Sequence, residues 1–179
     1  PPLYGFTLLR NGLKYDYCFR EALISLSRVT EKTFLALGAG EDDTEAALRD
    51  LLFLEIVPTT WDEKLRQGGL ILSQQTNVAL EAARQGGLSA HPDAWGIYLQ
   101  CDEVLHQDDV ELIKKDIAEA HAQGADAVTF RYWHFWQTHH DVAINKKWYP
   151  QEIRAVRLGS KAESWGDAQS FKNCEKVFH

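Results

Sequence analysis

Apolar and polar positions along this chain follow two periods, and the switches between them divide it into elements. Largely apolar runs at 4–9, 33–37, 53–57, 95–99 and 127–132 read as strands, and a last strand-like run covers 153–158. Between them, residues 17–29 place Phe19, Leu23 and Leu26 at helical spacing with Ile24 offset, and 68–84 place Leu72, Thr76, Ala79, Leu80 and Ala83 on one side. A third long helix, capped by Asp108 or Asp109, runs through Ile113, Ile117 and Ala120 to Gly124. Thr44 is expected to cap a short helix over 45–51, Pro58 to stop the third strand, and Gly86-Gly87 to end the helix begun at Gly68. Strands alternating with helices predict an α/β domain with a mostly parallel sheet flanked by helices. Such sheets bind ligands at the carboxyl ends of their strands. Three polar clusters that follow strands, Arg10-Asn11, Glu41-Asp42-Asp43 and Asp102-Glu103, are therefore expected on one edge.

Composition narrows the function classes. The 179 residues are 45% hydrophobic and 25% charged, the ordinary mix of one globular domain. A formal charge of −7 gives no basic footprint for nucleic acid. No apolar run approaches the roughly 18 residues of a membrane span, so at most peripheral membrane contact is expected. Cys18, Cys101 and Cys174 are too few and too scattered for a disulfide framework or a thiolate zinc site. They suit a reducing compartment, and the expected location is cytoplasmic, with the inner face of the membrane as its outer limit.

Asp102-Glu103, directly after a buried strand, is the sharpest local signal. Adjacent carboxylates at a strand end suit Mg²⁺ or Mn²⁺, hard cations that keep waters for a phosphate partner; the plain alternative is a loop cap beside a solvated acid. Gly38 to Thr44 offers small residues and an acid, Asp42, able to accept from a base or ribose, which is also ordinary turn chemistry. No P-loop, GxGxxG or GxSxG pattern is present. His134, His139 and His140, followed by Asp141, lack the companions of a zinc site. Trp133, Trp136, Trp148 and Trp165 crowd the last third, which fits sugar stacking as well as a second small core.

In order, these pieces resemble a family 2 glycosyltransferase of the GT-A fold over nearly the whole chain. A first strand ends in Arg10-Asn11 and leads into FREALISL. Gly40-Glu41-Asp42-Asp43-Thr44 stands in the place of the family's Gly-Ser-x-Asp-x-Thr segment. Trp61 opens a loop before a helix bearing Gln75-Thr76-Asn77-Val78-Ala79-Leu80, similar to an Asn-x-Ala-Leu helix, and Tyr98 to Val104 falls where the DxD motif belongs. Phe130 to Phe135, the run WYPQEIR and the terminal KVFH resemble a bacterial subgroup.

The resemblance implies one domain over 1–179, with a nucleotide-sugar part (1–126) and an acceptor-side part (127–179) that stops where the family usually continues. It implies a UDP- or GDP-linked sugar donor, a glycan or lipid-linked acceptor, and Mn²⁺ or Mg²⁺. Arg10, Asn11, Asp42, Asn77 and Asp102 would contact the donor; Asp102, Glu103 and a late histidine, His179 or else His134, would hold the metal. Two departures stand out: Gln100 replaces the first acid of DxD, and Gly38 replaces an acid that often meets the base. Inverting transfer needs a base for the acceptor hydroxyl, drawn from the segment after the fifth strand. Asp167, beside Gly166 and Trp165, is preferred to Glu152, which is expected to pair with Arg154 or Arg157. The alternatives are a catalytically silent GT-A domain that binds a nucleotide or glycan or acts as a scaffold, and a nucleotidyltransferase on a similar sheet.

Overall fold

A strand buried on both faces needs cover above and below, and the first strand sets that requirement: six of the seven residues of β1 (Leu3–Leu9) are buried. In the computed structural model, which describes residues 1–143 and 148–179 and, for His139, the backbone alone, helices supply that cover. In chain order the elements are α1 (Phe19–Ser27), β2 (Thr33–Gly38), β3 (Leu54–Thr59), α2 (Leu70–Ala90), β4 (Trp95–Tyr98), α3 (Val110–Ala122) and β5 (Ala127–Arg131). They continue with β6 (Phe135–Trp136), β7 (Thr138–Val142), β8 (Gln151–Arg157), β9 (Glu163–Trp165), β10 (Ser170–Lys172) and β11 (Val177–Phe178).

Seven strands form one sheet in the order β11-β5-β8-β4-β1-β2-β3. Its pairings are parallel except at β8, which runs antiparallel to both β4 and β5. The period-two alternation of the strands sorts the core. Tyr4, Phe6, Phe34 and Tyr98 meet Ala79, Leu80 and Ala83 of α2. On the other face Leu3, Trp95, Ile97 and Val128 meet Leu26 of α1 and Ile113 and Ile117 of α3. The hairpins β6–β7 and β9–β10 lie outside the main sheet. No helix among the described residues is long and apolar enough to cross a membrane.

The structure departs from the expected elements in four places, each with a physical reason. Gly86 and Gly87 do not end α2, which continues to Ala90; a Cβ on Gly86 would run into the buried Phe34 ring, and one on Gly87 into Leu158 and Tyr4. These glycines let the helix approach the sheet. Gly86→Ala is therefore expected to destabilise the domain by about 1–3 kcal/mol through overpacking, more than the roughly 1 kcal/mol of helix propensity it gains; urea unfolding would check the sign. Pro58 does not stop β3 but pairs within it, tolerated because β3 is an edge strand. The short helix over 45–51 is only one 3₁₀ turn, Ala46–Leu48, and the Thr44 hydroxyl accepts from the Leu13 amide instead of capping it. Neither Asp108 nor Asp109 caps α3 with its side chain; His106 Nδ1 accepts from the Asp108 amide in a preceding 3₁₀ turn.

The chain around β5, β8 and β11 is stitched together at Asp126. Its carboxylate accepts from Arg157 Nη2 (2.6 Å) and the Glu175 amide (3.1 Å), and its own amide donates to the Lys176 carbonyl. Burial opposes ionisation of Asp126, but the Arg157 guanidinium and these amides outweigh it and hold the carboxyl below its usual range. A depressed carboxyl stabilises the fold above the unfolded-state value near ~3.9 and loses that contribution as pH falls through the folded one. Asp126→Asn is expected to cost about 1–2 kcal/mol at pH 7, and the gap to the parent should close as the pH of the unfolding experiment drops below about 4.

Candidate functional site

β1 lies between β2 and β4, so the chain leaves its carboxyl end at a point where connections run to opposite sides. A recess of about 220 Å³ opens there, lined by Arg10, Asn11, Tyr15, Tyr17, Trp61, Arg66, Leu72, Gln100, Cys101 and Asp102 among others. Arg10, Asn11 and Asp102 are thus brought together at one edge, as the strand pattern implied.

The loops after β1 and β2 zip into one wall. Asn11 is buried with φ 54°, a left-handed conformation that asparagine tolerates, and its Oδ1 accepts from the Glu41 amide (2.7 Å). Gly40 faces that oxygen, and a Cβ there would lie 2.6 Å from it. Asp42 Oδ2 accepts from the Lys14 amide (2.8 Å) and Oδ1 from the Thr44 amide (3.1 Å). Burial pushes the Asp42 carboxyl up, but the Thr44 hydroxyl and these amides prevail and hold it below its ordinary value. Asp42 and Asn11 therefore spend their side chains on the loops themselves, and Asp42 is not among the residues lining the recess.

Arg10 faces the recess from the other side. Its Nε donates to the Ala39 carbonyl (3.0 Å), Nη1 pairs with Glu63 (2.6 Å), and its guanidinium sits 5.4 Å from the centre of the Trp61 ring. Glu63 also pairs with Arg66. The Trp61 indole lies against Gly38, occupying the space a side chain at 38 would need, and its buried N–H has no partner among the described residues. The side-chain space at 38 is thus filled by the Trp61 indole.

After β4 the two acids diverge. Glu103 accepts from Arg154 at both oxygens (2.8 and 3.1 Å) and from the Gln100 amide (3.0 Å), with its side chain 12% exposed. Both oxygens of that carboxylate are engaged by protein donors, where a metal ligand was expected. Gln100 turns its amide to the Ala168 carbonyl (3.3 Å). Asp102 is exposed as a whole residue but lines the recess, and it makes no ion pair among the described residues. Burial of its carboxylate against the recess and the negative charge of Glu103 lift its carboxyl above the ordinary value. Neighbouring thiols and a phenol are raised as well: burial pushes Cys101 up to about 12, and burial with the Asp102 charge raises Cys18 and Tyr17. All three cysteines are free.

Other expected site residues lie elsewhere. Asn77 hydrogen-bonds both backbone groups of Ser164 at 2.9 Å, fastening β9 to α2 instead of facing a nucleotide. His179 does not reach Asp102: its Nδ1 meets the Thr129 hydroxyl at 3.3 Å, and β8 and β5 separate β11 from β4, roughly 14 Å at the usual strand spacing. His134 donates from Nε2 to the Tyr149 carbonyl (2.7 Å) and stacks on Tyr132, which ties it to the aromatic segment. The His139 side chain lies outside the described residues. Among those described, no group of three or more His, Cys, Asp and Glu residues converges as a metal cage.

Asp167 is exposed in the turn between β9 and β10, packed over Gly69 at the start of α2. Its turn is joined to the end of β4 through Gln100 and Ala168, although Asp167 does not line the recess. Glu152 forms neither expected ion pair; Arg154 takes Glu103, Arg157 takes Asp126, and Glu152 accepts from Gln169 Nε2. Trp133, Trp136 and Trp165 are exposed and form no second core.

No protein-family model matches the sequence, and no curated protein matches it. Solved structures do. TarS of S. aureus superposes with a TM-score of 0.62 at 14% identity, covering 99% of this chain and 35% of that one. The 1–349 form of TarS gives 0.58 at 15%, covering 99% and 57%. The fold is of the GT-A type. A 4-diphosphocytidyl-2C-methyl-D-erythritol synthase from Anaerococcus prevotii also matches, at 0.47 and 16% identity over 88% of this chain and 70% of that one. The chain spans about a third of the longer TarS structure, and at these identities the likeness is one of fold.

Arg154 is the residue that sequence reading missed. It is 1% exposed, and its guanidinium lies between the rings of Tyr98 (5.3 Å) and Tyr132 (5.1 Å). The only sequence signal was an arginine flanked by the apolar Ile153, Ala155 and Val156 of β8.

Proposed function

We propose that this domain binds a nucleotide-sugar donor, UDP- or GDP-linked, across the carboxyl ends of β1, β2 and β4 and transfers its sugar with inversion to a glycan or lipid-linked acceptor. The observation that carries this reading is an unpaired carboxylate, Asp102, at the mouth of a recess walled by Arg10, Tyr17, Trp61 and Arg66 at the turning point of the sheet. An aromatic and cationic recess suits a base and its phosphates, and the GT-A fold and the family 2 resemblance agree with it.

Mn²⁺ or Mg²⁺ fits the donor set. Such an ion takes one or two carboxylates, keeps waters and completes its shell from a diphosphate, and Asp102 is a carboxylate with no ion pair among the described residues. When bound, it would stabilise charge developing on the leaving diphosphate. The acceptor hydroxyl would give its proton to Asp167, whose turn is fastened to the end of β4.

A thermal-shift panel of UDP-, GDP-, dTDP- and CDP-sugars with Mn²⁺ tests the reading. A donor at a hundred times its Kd should stabilise the domain by about 2.7 kcal/mol, and released nucleoside diphosphate should appear on incubation. The engagement of Glu103 and Gln100, which leaves Asp102 as the lone acid, favours a second reading of binding without transfer. Stabilisation with no release of diphosphate would select it; no stabilisation by any donor would overturn both.

A further inference from the structure

We propose that Arg154 is a positioning residue that fixes the Asp102 turn and the Asp167 turn relative to each other. The inference goes beyond the proposed function and uses it only to name those turns as donor and acceptor sides.

Two sets of hydrogen bonds leave one buried guanidinium in different directions. Nε and Nη2 grip Glu103, whose Oε2 also accepts from the Gln100 amide, while the Glu103 amide donates to the Gln100 carbonyl (3.0 Å). Asp102 therefore sits in a four-residue turn closed by its backbone and by its last side chain, and Arg154 anchors that side chain to β8. On the other side Nη1 donates to the Gln169 carbonyl (2.7 Å), two residues after Asp167. The Gln169 amide reaches back toward the Asp167 carboxylate (3.4 Å), and its side chain is held by Glu152 (3.1 Å). Gln100 to Ala168 is the direct bridge between the turns, a single neutral bond of 3.3 Å; Arg154 supplies the charge-assisted ones.

The chemistry requires arginine. A planar fork with five donors can hold a carboxylate bidentately and still serve a carbonyl, whereas an ammonium cannot span both. A buried ion pair is also a poor source of stability, since an apolar pair of similar volume commonly does as well or better. Geometry is what an apolar pair could not supply here.

Amide hydrogen exchange on Arg154→Met and on Arg154→Met/Glu103→Leu separates placement from stability. The apolar pair should recover most of the thermal stability that the single change removes. Amides of 100–103 and 166–169 should nevertheless exchange at least about tenfold faster than in the parent, and by matching factors, in the double variant. In the same variant the Mn²⁺-dependent part of UDP binding should fall while metal-free binding is kept. Parent-like protection of both turns, a response in one turn only, or failure of the double variant to fold would each overturn the proposal, the last by making Arg154 a requirement of the fold. Absence of UDP binding by the parent would count against the proposed function alone, because the exchange comparison does not use a ligand.

Discussion

Arg154→Met is expected to lower the stability of the domain by about 3–5 kcal/mol, the usual consequence of leaving one half of a buried ion pair behind. Glu103 would keep only the Gln100 amide, in a place where its side chain is 12% exposed. The rings of Tyr98 and Tyr132 would lose the cation they flank, and the Ile153 and Gln169 carbonyls a donor. In a domain of this size each kcal/mol moves the melting temperature by about 2–4 °C, so a fall of roughly 6–20 °C should be seen by calorimetry. Glu103→Gln should cost less, since a neutral amide still offers an oxygen to the guanidinium and leaves the charge on the side that cation–ring contacts support. A loss below about 1 kcal/mol for Arg154→Met would mean that Glu103 finds water when its partner goes, and the pair would then belong with ordinary surface bridges.

The reason this pair was invisible in the sequence also explains which parts of the site were legible. Strand and helix signals are local, and β1, β2, β4 and β5 were each marked by an apolar run bounded by polar residues or glycine. Placing Arg10 and Asp102 on one edge needed only the rule that parallel strands end together. What local signals did not carry was a side chain's partner distant in sequence. Glu103 and Arg154 are 51 residues apart, so Glu103 read as a free acid and Arg154 as a partner for Glu152. Asn77 was expected at the donor through the family resemblance, and the Ser164 it holds lies 87 residues on. His179 follows a strand-like run, as expected, but β11 pairs with β5 at the flank of the sheet, which places the histidine far from β4. Gly86 and Gly87 misled for a similar reason: glycine ends helices when nothing presses on it, and permits close approach when Phe34, Tyr4 and Leu158 do.

These engagements leave a site with little redundancy. The acid that would share a cation with Asp102 is bound to Arg154, the amide at 100 is bound to Ala168, and His179 and His134 hold other groups. Asp102→Asn is therefore expected to remove metal-dependent nucleotide binding almost completely, where a site with two carboxylates would lose only part. A bound divalent ion contributes several kcal/mol to charge stabilisation, so any diphosphate release should fall by at least about a hundredfold. The fold should not suffer. Asp102 makes no ion pair among the described residues, and burial and the Glu103 charge disfavour its ionised form. Asparagine there removes a charge the protein holds at a cost, and the variant should melt at or slightly above the parent in the absence of ligand, a gain in stability bought by loss of function. Calorimetric titration of UDP with and without Mn²⁺ on both proteins, beside their melting curves, checks the two halves together. If the variant keeps the parent's Mn²⁺ response, the ion is held elsewhere and Asp102 is not its ligand. If it melts several degrees below the parent, Asp102 is a structural residue and the recess has lost its one assigned acid.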